Sequence, residues 1–282
     1  MDPTYVLLIA LGCLLGATFA SYFGVLIQRG FKASILGRSK CDYCGRKLGI
    51  LELIPLFSSL YWAVNPSGSR CCHKKIPLTY FWTEFYGAIF GGVAAIALVR
   101  LLSALQIAPT AVILVLVAMI ILLLILLFSA VEDIWLLSID IRVPIAAIAI
   151  TSLLTFVLSR QLAGGNAFGN LDETMLLSQL ASGWIGAIAV AALIVFSRGK
   201  GLGSGDIYWF FFVGSSLGLI GLATTALLTI FTAAGVGIVF AIYKRRMKGE
   251  IIPLVPFIIL SWLIAFTFQA ELLATWQNLL YV

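Results

Sequence analysis

Gly199-Lys200-Gly201-Leu202-Gly203-Ser204-Gly205-Asp206 decides how the rest of this chain is read. Every second residue is glycine, and the run ends on one of only six aspartates in 282 residues. Strongly apolar sequence flanks it, Leu177–Ser197 before and Ile207–Tyr243 after. The stretch is therefore a loop at a membrane border that delivers a carboxylate to the start of a helix. Glycines alternating in this way do nothing for helix stability; they permit positive φ and let another backbone come close. A carboxylate at the mouth of a membrane helix is costly to keep, which makes a functional reading the default. The plain alternative is an aspartate that caps the helix after a flexible turn.

Working outward, the chain is 62% hydrophobic and 11% charged, a balance no water-soluble fold of this length needs. Several apolar runs reach the roughly 18–20 residues required to cross a bilayer. They lack the apolar/polar alternation of barrel strands, so the class is an all-α polytopic membrane protein. Eight spans are expected, at about Tyr5–Gln28, Tyr80–Leu101, Val112–Ala130, Val143–Leu158, Leu177–Phe196, Asp206–Leu219, Leu222–Tyr243 and Ile251–Gln269. The sixth and seventh come from one run of 37 residues, Ile207–Tyr243, too long for a single crossing; Gly218 and Gly221 mark a tight turn inside it. At the N-terminus Met1-Asp2-Pro3 lacks the basic stretch of a cleavable signal, and the first apolar run is long enough to span and stay.

Charge orients these spans. The connection from Arg29 to Lys75 carries nine Lys/Arg, and Lys244–Lys248 carries four. With Arg142, Arg198 and Lys200, sixteen of the eighteen basic residues fall on one side, leaving only Arg100 and Arg160 on the other. The positive-inside rule makes the rich side cytoplasmic and puts both termini outside. The net charge of +6 is then a topology signal plus attraction to anionic lipid, and needs no nucleic-acid partner. The same count brings a second acidic cluster, Glu132-Asp133 at the end of the third span, to the membrane face where Asp206 opens the sixth.

The first cytoplasmic connection holds four of the five cysteines. Cys41-Asp42-Tyr43-Cys44 followed by Gly45 is a knuckle that wraps two thiolates round zinc, and Cys71, Cys72 and the single histidine, His73, follow later. A small zinc-ribbon-like module results, with Cys41, Cys44 and Cys72 as ligands and Cys71 or His73 as the fourth. Disulfides do not suit a cytoplasmic loop. Cys13, inside the first span, reads as a small buried apolar residue. Between the two cysteine groups, Leu53–Trp62 is amphipathic and aromatic and suited to a membrane surface. Glu84, one turn inside the second span, is read equally well as an ion-pair partner of Lys74 or Lys75 and as a functional group. Asp140 reads as a cap or ion-pair partner. The domain plan is a first helix over 1–28, a cytoplasmic cysteine-rich domain over 29–79 and a seven-helix domain over 80–282.

Two carboxylates within hydrogen-bond distance do not both ionise easily, so Asp133 and Asp206 as a pair hold one shared proton. The ionised member takes a proton from water while the protonated one polarises a peptide carbonyl. That is aspartyl-protease chemistry, and it needs neither metal nor a nucleophilic serine.

Read in order, these residues resemble the bacterial type IV prepilin peptidases, a family of membrane aspartyl proteases. The likeness runs through Ser21 to Arg29, Cys41-x-x-Cys44, Leu53-Ile54-Pro55-Leu56-Phe57-Ser58, Cys72 through Ile76 to Tyr80 and Glu84, then Asp133, Gly203-Ser204-Gly205-Asp206, and Ile252-Pro253 to Pro256-Phe257. Three positions depart from the family pattern: Gly24 stands for a usual asparagine, Ser69 for a ligand cysteine, and Tyr208 for a frequent lysine. The resemblance implies Asp133 and Asp206 as catalytic residues, Gly203 and Gly205 as the loop that admits substrate, and a prepilin or pseudopilin substrate with a short basic leader. It also implies a place in the bacterial inner membrane with the active site at the cytoplasmic face. For many members it implies methylation of the new N-terminus with S-adenosylmethionine, a function of which no glycine-rich fingerprint is visible here. Two other classes stay open. Another Gly-x-Gly-Asp intramembrane protease, of the signal-peptide-peptidase kind, would lack the cysteine loop. An ion-coupled transporter would carry its charges near mid-span.

Overall fold

The computed structural model describes residues 3–30, 39–41, 43–65, 72–74, 76–104, 109–163, 173–199, 202–244 and 252–280. Among them the regular structure is helical: α1 Pro3–Arg29, α2 Phe57–Val64, α3 Leu78–Ala104, α4 Pro109–Leu136, α5 Arg142–Ala163, α6 Glu173–Phe196, α7 Ser204–Lys244, α8 Val255–Thr267 and α9 Gln269–Leu280. Five are long and apolar enough to cross a membrane: α1, α3, α4, α6 and α7. The expected fourth and eighth spans form shorter apolar helices over their described parts, Arg142–Thr155 and Val255–Thr267. Two compact units divide the chain, one of Met1–Ile96 with Ile134–Leu137, the other of Ala97–Asp133 with Ser138–Val282.

In the first unit α1 and α3 run antiparallel on a seam of small residues. Gly12, Gly16 and Ala20 are spaced by four on α1; Gly87, Gly91 and Ala95 are spaced by four on α3. A methyl group on Gly16 would lie 2.0 Å from the Gly87 carbonyl oxygen, and one on Gly91 would lie 2.1 Å from that of Gly12. Lipid chains are as apolar as leucine, so membrane helices gain little by hiding apolar surface from lipid. Close backbone approach, and the dispersion it brings, holds them instead. Cys13 fills the next step of the seam, against Gly92. The Trp135 indole rests on Gly24, and its ring meets Tyr80 edge-on at 4.9 Å.

In the second unit the long run over Ser204–Lys244 breaks at Gly218, whose φ of 71° and ψ of −172° lie outside helical space. A methyl group on Gly186 of α6 would meet both the Phe210 carbonyl oxygen, at 2.7 Å, and Leu222, at 3.0 Å. Along an unbroken helix those two residues would stand about 18 Å apart. The chain therefore turns back on itself at Gly218, as the overlong run demanded. Only glycine adopts that φ and ψ without strain. Across α7 and α8, Phe212 packs on Trp262 at 5.1 Å, and the Trp262 indole N–H donates to Ser216 Oγ at 2.8 Å.

Two features differ from expectation. α4 continues six residues past Ala130, so Glu132 and Asp133 lie in its last turn and not after it. A helix over Gln269–Leu280 follows the expected last span. Arg100 fixes that corner, donating to Glu271 at 2.6 Å and to the Thr267 carbonyl at 3.2 Å, with its guanidinium 4.6 Å from the Phe268 ring. The Arg100 hydrogen bond holds the Glu271 carboxyl below the usual carboxylate range.

Candidate active site and metal centre

The second unit buries two carboxylates. Asp133, in the last turn of α4, is 6% exposed; Asp206, in the first turn of α7, is 5% exposed. Asp206 lies close enough for its charge to act on Asp133. Each is steadied by one close backbone donor, and in each Oδ2 accepts. Asp133 takes the Val255 N–H at 3.0 Å, and Asp206 takes the Gly203 N–H at 2.8 Å.

Both donors are helix-start groups. Val255 opens α8, and its N–H is one of the first four that no helical carbonyl can satisfy. The next residue, Pro256, has no N–H to offer, and Leu254, just before the helix, is a second backbone donor to the carboxylate. This contact joins positions 122 apart in sequence. Asp206 reaches back to the residue before its own helix, the capping arrangement that the plain reading of the glycine stretch described. Capping and a role in chemistry are compatible, since only one oxygen is used. Gly205 has a separate reason to lack a side chain: a methyl group there would sit 2.9 Å from Cδ1 of Ile139. Gly203 also lies here, three residues before Asp206; Lys200 and Gly201 are outside the described residues.

Around the pair, Asp140 behaves as a cap, accepting the Arg142 N–H at 3.0 Å while its own N–H reaches Glu132 at 3.5 Å. Two further groups were not singled out in the sequence. Ser129, four residues before Asp133, and Trp209, three after Asp206, share the helix faces of the carboxylates one turn along. The Ser129 hydroxyl and the Trp209 indole nitrogen are both fully buried without a hydrogen-bond partner. Nothing in either residue type signals this; the i−4 and i+3 spacing from the aspartates was the only available clue.

The first unit holds the cysteine centre. Sγ atoms of Cys41, Cys44 and Cys72 all lie within 4.8 Å of one another, and the Cys41–Cys72 pair is 3.8 Å apart. Tetrahedral zinc with bonds of about 2.3 Å separates neighbouring sulfurs by about 3.8 Å. The three thiols therefore fit one zinc ion, which would staple the loop. The knuckle is shaped by the backbone, with Cys41 N–H donating to Arg46 at 2.8 Å and Gly45 N–H donating to Cys41 at 2.9 Å. His73 stands outside this sulfur group. Cys71 falls outside the described residues, as does Ser69.

Glu84, also in the first unit, is 5% exposed, and among the described residues no lysine pairs with it. Its Oε1 accepts from Ser21 at 2.7 Å, and its Oε2 accepts from Ser59 and from the Leu56 N–H, each at 2.6 Å. Lys74 instead sets its ammonium 5.0 Å from the Tyr43 ring centre. Lys75 is outside the described residues. Leu56 has a φ of 66° and a ψ of −51°, and Phe57 N–H closes back on the Pro55 carbonyl at 2.7 Å. This is the rarer, strained form of the γ-turn.

Residues 14–98 match the family model of the bacterial peptidase A24 N-terminal domain. Searches of curated proteins and of solved structures found no match. The matched stretch contains the three clustered cysteines and Glu84 and ends before both aspartates. The match covers 85 of the 282 residues, so the likeness to that peptidase family is shown over this part of the chain.

Proposed function

We propose that the chain is a membrane aspartyl endopeptidase that removes the leader peptide of type IV prepilins or pseudopilins. The observation that carries the reading is the burial of two carboxylates in the second unit, Asp133 in the last turn of α4 and Asp206 in the first turn of α7, each with Oδ2 on a backbone donor. The peptidase-family match over residues 14–98 supports it independently. In this reading the ionised member of the pair takes a proton from the attacking water, and the protonated member donates to the scissile carbonyl. Collapse of the tetrahedral intermediate returns a proton to the leaving amine, and the pair is reset. The backbone donors keep each carboxylate in one orientation through the cycle, so that little reorganisation accompanies proton transfer. Gly203, which has no side chain, leaves room beside Asp206 for an extended substrate backbone.

The charge bias puts this chemistry at the cytoplasmic face of the bacterial inner membrane, with both termini outside. A substrate leader that is basic and cytoplasmic, followed by an apolar helix in the bilayer, presents its junction at that level. Co-expression with a prepilin, read by mass, tests the proposal: loss of the leader is expected, and the same spectrum shows any methyl group on the new N-terminus. Normal leader removal by well-inserted Asp133→Asn or Asp206→Asn protein would overturn it.

A further inference from the structure

We infer that α2 is seated in the headgroup–acyl boundary of the bilayer and that its apolar face is covered by lipid. The inference rests on the geometry of the first unit and not on the peptidase reading. Glu84 fixes the depth of α2, because Ser59 of α2 and Leu56 just before it both donate to its carboxylate. Glu84 lies six residues inside α3, about 9 Å from the helix start, and Ser21 lies about 12 Å from the end of α1. Helices of 27 residues such as α1 and α3 measure about 40 Å, against a hydrocarbon core of about 30 Å. With about 5 Å of helix beyond the core at each end, a group about 9–12 Å from the helix ends lies about 4–7 Å inside the core edge, the depth of an interfacial helix. The segment that touches it lies there too, although it belongs to the connection between two spans.

What α2 shows at that depth agrees. Ser58, Ser59 and Trp62 are buried, while Phe57 is 64% and Tyr61 47% exposed. Their rings stack at 6.2 Å, and Ile50, Leu53, Ile54 and Val64, close by in sequence, are exposed as well. In water such a patch would be a liability. At the boundary it matches the belt that Tyr22, Trp82 and Phe85 present on α1 and α3, each exposed by about two-fifths. Charge agrees as well: the connection from Arg29 to Lys75 carries nine basic residues against Asp42 and Glu52. Anionic headgroups would neutralise that excess. The strained turn at Leu56 has a purpose in this arrangement. It directs the N–H of Leu56 at Glu84.

Photoreactive benzoylphenylalanine at position 57 or 61 tests this in the full chain, reconstituted into nanodiscs of phosphatidylglycerol and phosphatidylethanolamine. Position 82, on the exposed belt of α3, serves as the reference. Lipid adducts at 57 and 61 in yields comparable to 82 are expected. No lipid adduct at either position while 82 gives one overturns the inference. So does an adduct to a co-reconstituted prepilin that displaces the lipid adduct, which would make the patch a peptide groove. Glu84→Ala should lower the adduct yield at 57 and leave that at 82 unchanged. Should Glu84→Ala not fold, the yields in the otherwise native chain still decide the matter. Because adduct yield needs no catalysis, a chain without peptidase activity would leave this result standing.

Discussion

Glu84 and the two aspartates are buried to the same degree, yet they are held differently. Three donors from three segments converge on the two oxygens of Glu84, two of them side-chain hydroxyls. The aspartates are held by backbone: Asp206 by Gly203, and Asp133 by Val255 with Leu254 beside it. A carboxylate that ties three segments together works as a clasp. One held from the backbone at a helix end keeps lone pairs free for a further partner. Burial alone therefore does not tell the two kinds of site apart; the partners do.

The sharpest way to break that comparison is to make the same chemical change in both places. Asp133→Asn and Asp206→Asn should each reduce leader cleavage by on the order of a thousandfold or more, because an amide cannot hold the shared proton. Glu84→Gln should leave cleavage within about tenfold, since the amide oxygen still accepts from Leu56 and Ser59 and the Ser21 hydroxyl can turn to accept. Initial rates on a purified prepilin, with size-exclusion profiles for all three variants, check this. Equal losses at all three positions would erase the distinction.

The dependence on pH sharpens it further. A pair that works with one proton loses activity when both members are protonated and again when both are ionised, with limbs approaching about tenfold per pH unit. The titration belongs to the pair. Cleavage in detergent across pH measures it, with the fold of enzyme and substrate followed in parallel. A rate that still climbs smoothly through about pH 10, well past any carboxyl, would point to another base.

Smaller effects belong to the first unit. Gly91→Val forces a side chain onto the backbone of α1 and should destabilise the protein by roughly 1–3 kcal/mol, seen as a lower thermal midpoint in detergent. Removal of zinc is the mildest change for catalysis. Purified protein should contain about one zinc per chain, and stripping it should loosen the cysteine loop while cleavage stays within about twofold. Elemental analysis and limited proteolysis read both parts. Fully active protein that never carries metal would remove the zinc staple.

The all-helical membrane class, the turn at Gly218 and the three clustered cysteines were legible in the sequence, because hydropathy, glycine and cysteine spacing report local requirements. The Val255 donor to Asp133 was not, since no local pattern announces a bond across 122 positions. Nor were the described donors to Glu84: Lys74 turns to the Tyr43 ring, while two serines and one backbone amide donate to the carboxylate. The α1–α3 seam was readable in the fourfold spacing of Gly12, Gly16 and Ala20 and was passed over, because the span around them is apolar enough to need no further account. α9 escaped through its modest hydropathy, and the end of α4 was set too early because an acidic pair resembles a helix exit.

The small-residue seam also has a consequence in time. Gly16 leaves the ribosome about 70 residues before Gly87, an interval of several seconds at ordinary rates of synthesis. During it α1 stands in the bilayer without the partner its glycines are shaped for. The whole cysteine loop is made within that interval. The knuckle at Cys41 and Cys44 therefore emerges, and can take its metal, before α3 arrives to close the seam. Maturation of the loop and assembly of the helix pair are set in sequence by the order of the chain.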